Sequence, residues 1–222
     1  MTEALHHRMY LLAYDETAKG PYDRSRTGLL VRAAVLTELA LRGRLVESGD
    51  GGGVTVAGTG STGDPVLDDV LREARGRGWK QLVRRRRRRT LTAVEDRLAV
   101  LGLVSLQPSR TGRGGRGGRG GLGGRRVTVS DPAALRAVHD RVSAVLHGDT
   151  PVHEFPAADT ALSALAAAGR VRSVLSRREA RVLRERVDAC TSRLGALAPG
   201  LEKAVRGLNT TMIAAQGGMG GG

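Results

Sequence analysis

The chain has 222 residues, enough for one substantial hydrophobic core, and combines 40% apolar residues with only 2% aromatics and a net charge of +14. Its single cysteine, Cys190, excludes an internal disulfide and a multi-thiolate metal centre, and no apolar run reaches the ~20 residues that would cross a bilayer. The charge is concentrated: between Arg72 and Arg126, seventeen Lys/Arg stand against three acids, an excess of fourteen that equals the net charge of the whole chain and calls for an anionic partner.

Ala, Leu and Val supply most of the apolar content, which predicts a mainly α fold: a single helical domain over residues 1–216 with a flexible tail, 217–222. Leu5, Met9, Leu12 and Ala13 at helical spacing predict a first helix over 3–15, and Asp15 to Arg26 reads as a polar loop. Leu29, Ala33, Leu36 and Ala40 form one stripe of a second helix, Gly28 to Arg42, closed by Gly43. Arg32 borders that stripe. Val54-Thr55-Val56 reads as a short strand, and Asp64-Pro65 as the cap and first residue of a third helix carrying Leu67, Val70, Leu71 and Ala74. From Trp79 to Leu101 the spacing of Leu91, Val94, Leu98 and Leu101 marks a helix whose beginning is the run Arg84 to Arg89. Leu103 to Leu106 and Arg126 to Val129 form a hairpin with a flexible Arg-Gly-Gly tip, 111–124. A helix follows Asp131-Pro132, and three more span Thr160 to Leu175, Arg178 to Leu194 and Leu201 to Ala215.

Six adjacent arginines suit phosphate, because each guanidinium is a planar fork that donates two parallel hydrogen bonds and each repels its neighbours until an anion relieves them. Near an anionic bilayer such residues gain about 1 kcal/mol apiece. Two partners fit this chemistry: anionic lipid headgroups at a membrane surface, with Leu122 of the hairpin dipping into the interface, or nucleic acid, gripped by the arginine run and the RGG loop. The loop has no interleaved Phe or Tyr to stack bases, which favours lipid. For Arg32 the bland alternative is an ion pair within the fold, with the turn of Glu38 or with Asp15.

No pattern points to an enzyme or a cofactor. The Gly112-x-Gly114-x-x-Gly117 spacing arises from loop repetition and precedes a strand, whereas a nucleotide fingerprint needs a helix there. His6, His7, His139, His147 and His153 lack metal-ligand spacing and read as surface or satisfied histidines, so no metal site is expected. Asp64, Asp68 and Asp69 fall in a helix's first turn, where acids oppose the macrodipole. With no signal peptide in Met1 to Arg8 and no disulfide pairing, the expected address is cytoplasmic, with peripheral membrane association.

The motif Glu38-Leu-Ala-Leu-Arg-Gly-Arg44, preceded by Arg32 and followed by Thr62-Gly-Asp-Pro-Val-Leu-Asp-Asp69, resembles the Golgi phosphoprotein 3 family, whose domain also occurs in actinobacteria. Val94 to Val104 and Thr160 to Ser176 are similar to it more loosely. The resemblance implies a non-enzymatic protein with a helical core ringed by amphipathic helices and a protruding β-hairpin. It further implies binding of phosphatidylinositol 4-phosphate at membranes, protein clients, and a hairpin that contributes to membrane contact or to self-association as a homo-oligomer. Carried over position by position, the family's phosphate pocket matches Arg32 and Arg88, with Arg85 or Arg89 standing in for its last arginine; the rest of the run, Arg84, Arg86 and Arg87, reads as membrane contacts by its charge. The family's tryptophan falls on Asp23 and its last arginine on Leu91, two departures from the pattern.

Overall fold

The structure, a computed structural model, describes residues 4–21, 23–49, 53–108, 125–176 and 178–208. Along the chain run α1 (Leu5–Leu12), β1 (Tyr14–Asp15), β2 (Gly20–Pro21), α2 (Arg24–Leu41), β3 (Leu45–Glu47), β4 (Val54–Val56), α3 (Pro65–Ala74), α4 (Trp79–Arg84) and α5 (Arg87–Val100). Then come β5 (Val104–Pro108), β6 (Arg125–Val129), α6 (Pro132–His147), α7 (Ala157–Ala168), α8 (Glu179–Val182), α9 (Arg184–Leu197) and α10 (Pro199–Arg206). Among the described residues the strands pair only as three separate antiparallel hairpins, β1–β2, β3–β4 and β5–β6, so the fold is mainly α as the composition requires.

Local chemistry starts the helices. Asp23, Asp64 and Asp131 each accept from two backbone N–H groups of the turn that follows, opening α2, α3 and α6, and Pro65 and Pro132 sit where the missing N–H costs nothing. The Asp23 cap starts α2 at Arg24, a full turn before the predicted Gly28, and the polar loop ahead of it contains the two-residue pairs of β1–β2.

Helix α2 is the centre of the molecule. It is apolar on nearly every side, the mark of an enclosed rather than a surface helix, and α1, α3, α4, α5 and α7 pack around it. Gly28 lets the start of α5 approach closely, since a Cβ there would lie 3.1 Å from the Arg87 carbonyl oxygen. The family-like motifs prove to be scaffold. Glu38 accepts from Leu5 N (2.8 Å) and Arg42 Nε (2.8 Å), Gly43 takes the left-handed conformation at φ 64°, and Arg44 donates to the Ala57 and Gly60 carbonyls.

The helix expected from Trp79 to Leu101 is broken in two. Arg85 is extended and Arg86 left-handed (φ 47°), so α4 and α5 meet at an angle inside the arginine run. Tertiary contacts override the helical spacing: Trp79 is anchored in the core beside Gly200 of α10, while Leu91, Val94 and Leu98 turn toward α2. The predicted helix from Thr160 ends at Ala168, and that from Arg178 is interrupted at Leu183. Strand β3 was not foreseen, although glycines between two short runs ending in Glu47 and starting at Val54 are a hairpin signal. The base of the β5–β6 hairpin is docked through Tyr14 Oη donating to the Val127 carbonyl at 3.0 Å. Its RGG tip, Leu122 and the tail 217–222 lie outside the described residues.

Candidate anion-binding face

The break between α4 and α5 decides where each arginine goes. Arg32 is 1% exposed, and each of its three nitrogens is engaged: Nε with the Leu82 carbonyl (3.0 Å), one terminal nitrogen with Thr90 Oγ1 (3.0 Å), the other with Glu73 (2.9 Å). It thus ties α2 to α3, α4 and α5, and its partner is Glu73 rather than Glu38 or Asp15. Burial pulls the guanidinium below its usual pKa and the Glu73 carboxylate works against that shift. Glu73 also holds Arg86 at 3.0 Å and lies 3.9 Å from Arg85. Three arginines therefore surround one carboxylate, which occupies the position an anion would take among them.

The outer arginines present a different surface. Arg84, Arg88 and Arg89 are exposed, Arg87 is half-buried, and Arg89 stands 3.9 Å from Asp69. A shallow depression beside them is lined by Gly78, Lys80, Gln81, Arg84 and Arg85. The site-residue reading thus divides: Arg32, Arg85 and Arg86 meet around Glu73, whereas Arg84, Arg88 and Arg89 face solvent. Glu73 was missed in the sequence because its spacing on α3 is that of any solvated acid; only the crossing of α3 over the α4–α5 break gives it a role.

A second cavity lies on the side formed by α6, the α2 start and the 169–173 turn. Four arginines (Arg26, Arg136, Arg170, Arg172) share its walls with four acids (Asp15, Glu16, Asp23, Asp140), so it has no net preference for an anion. Asp23, where the family resemblance would put tryptophan, serves as the α2 cap.

The histidine reading needs correction. His6 and His7 are not at the surface and are only partly satisfied: both are buried in the first turn of α1, His6 Nε2 stands 3.2 Å from Asp64 Oδ2, and His6 Nδ1 and His7 Nε2 lack hydrogen-bond partners. Burial, and then the adjacent His6, lower the His7 pKa to about 3, which keeps that ring neutral. Burial opposes the charge of Asp64, yet its contact with His6 and the Val66 N–H outweigh that and hold it below the usual carboxylate range.

The family model described as Golgi phosphoprotein 3 (GPP34) matches residues 5–208, nearly the whole chain and every helix named above. The chain belongs to the Golgi phosphoprotein 3 family. No individual curated protein matches it. For a Golgi phosphoprotein 3 domain the central α2 and the Glu38–Arg44 and Thr62–Asp69 motifs are accounted for above as elements of the scaffold, and the arginine run remains as the part with chemistry to spare. Among the described residues no helix is long and apolar enough to cross a membrane.

Proposed function

We propose that this Golgi phosphoprotein 3 domain is a non-enzymatic, peripheral binder of anionic lipid headgroups, of the phosphatidylinositol 4-phosphate kind that the family is known for. The observation that carries the reading is the exposed shelf of Arg84, Arg88 and Arg89 beside the depression lined by Lys80 and Arg85. Arg85, Arg88 and Arg89 contact phosphate, Arg84, Arg86 and Arg87 contact the surrounding surface, and Arg32 holds the helices that carry them. Val100 favours a bilayer over nucleic acid: it is 76% exposed and lies eleven residues beyond Arg89, three turns along the same face of α5, where an apolar side chain enters an interface but has nothing to gain from RNA phosphates.

Co-sedimentation tests this. Vesicles carrying ~5% phosphatidylinositol 4-phosphate are expected to bind the protein at about 0.15 M salt, and neutral vesicles are not. The variant Arg84→Glu/Arg88→Glu/Arg89→Glu is expected to lose binding by more than about a hundredfold, since each arginine near the surface contributes about 1 kcal/mol, while circular dichroism shows it still folded. Preference for an RNA of equal charge over those vesicles, or an unchanged affinity in the triple variant, would overturn the proposal.

A further inference from the structure

Two imidazoles and a carboxylate converge where α1 meets the start of α3, far in sequence and away from the arginine shelf. His6 and His7 are adjacent, their rings edge-on with centroids 4.3 Å apart. One ligand atom from each of His6, His7 and Asp64 lies within 4.8 Å of the other two, and His6 Nε2 stands 3.2 Å from Asp64 Oδ2. That last separation is what two metal bonds of about 2.0–2.2 Å give when they meet at roughly 100°.

The surroundings argue for a missing partner. His6 is 0% exposed and His7 4%, yet His6 Nδ1 and His7 Nε2 have no hydrogen bond and His6 Nε2 has only the Asp64 carboxylate at 3.2 Å, an arrangement native interiors avoid unless something else satisfies the rings. Asp64 is already aimed: Oδ1 accepts from Val66 N (2.8 Å) and Leu67 N (3.4 Å), which fixes the carboxylate with Oδ2 toward the histidines, as outer hydrogen bonds orient metal ligands elsewhere. Neutral imidazole with carboxylate suits a borderline divalent ion; magnesium and calcium demand more oxygen. The charged group that opposes a cation here is Arg97 of α5, whose positive charge reaches His7.

We propose that His6, His7 and Asp64 form a binding site for a divalent transition-metal ion of the zinc type, which fastens the first turn of α1 to the loop that starts α3. The rings draw in slightly for all three atoms to reach bonding distance. Three protein ligands leave the fourth position of a tetrahedral ion to a water molecule, and with both histidines enclosed by the core the ion braces the fold.

The test uses tag-free full-length protein stripped of metal. Calorimetric titration with zinc chloride is expected to give one equivalent, with a raised melting temperature. Cobalt(II) added to the wild type is expected to give the visible d–d bands of nitrogen and carboxylate ligation. Asp64→Asn and His7→Gln are each expected to weaken zinc binding at least about tenfold, Arg97→Met to tighten it, and His153→Ala, at an exposed histidine, to leave it unchanged. Absence of a stoichiometric wild-type complex, or wild-type affinity in both Asp64→Asn and His7→Gln, overturns the proposal. If those variants do not fold, the cobalt spectrum of the wild type decides: solvent-like bands overturn it.

Discussion

At the scale of single residues, burial sorts groups that look alike in sequence. Arg32 and Arg88 are both basic helix residues, but one is sealed against Glu73 and the other is exposed. Truncating a buried charge leaves its partner uncompensated, so Arg32→Ala is expected to cost about 3–5 kcal/mol in denaturant unfolding, and its lipid binding to fall only as its fold does. Glu73→Gln isolates the electrostatics instead. With the carboxylate neutralised, the charges of Arg85 and Arg86 are no longer offset by a neighbouring anion, and vesicle affinity is expected to rise several-fold in co-sedimentation while stability falls. Cys190 is fully buried and its thiol is pushed up to about 11 by desolvation, so a thiol reagent at pH 8 is expected to label it only at the rate of unfolding, with full labelling in denaturant.

At the scale of elements, the close crossing of α2 and α5 positions the arginine shelf. The contact depends on Gly28, where even one added carbon would press on the Arg87 carbonyl. Gly28→Val is therefore expected to destabilise by about 1–3 kcal/mol, read by thermal melting, and to weaken vesicle binding because the start of α5 is displaced. The α4–α5 break has the same logic from the other side. Leu82 and Val83 face the core from α4 while Leu91 and Val94 face it from α5, and one straight helix would carry these pairs along a drifting stripe that cannot stay against α2. Arg86 accepts a left-handed backbone to reset the phase, and its guanidinium is thereby brought to Glu73.

At the scale of the whole molecule, the core is built from Leu, Val and Ala around α2, and the basic excess falls in the stretch of sequence from Arg72 to Arg126 that contains α4 and α5. Binding through such an excess is long-range and screened. Raising salt from about 0.1 M to about 0.5 M is expected to release the wild type from anionic vesicles in co-sedimentation, and Glu73→Gln only at higher salt, since the Debye length contracts from ~10 Å to a few ångströms over that span.

The sequence by itself determined the helical class, because aromatic-poor, Leu- and Ala-rich segments with 3.6-residue spacing have few other solutions, and it determined the caps at Asp64 and Asp131, whose chemistry is local. Family membership was legible too, since the motifs around Glu38 and Asp64 make the turns and helix ends that the fold cannot do without. The arginine run announced an anionic partner by composition alone. Only the tertiary structure decided which arginines are spoken for, that Trp79 is a core anchor, and that His6 and His7 meet Asp64, because each of these depends on residues separated by tens of positions being brought to the same place by the packing of helices around α2. Spacing along the chain carries information about one element's face; what stands opposite that face is settled by the crossing of helices, and the chemistry of the candidate sites lies in those crossings.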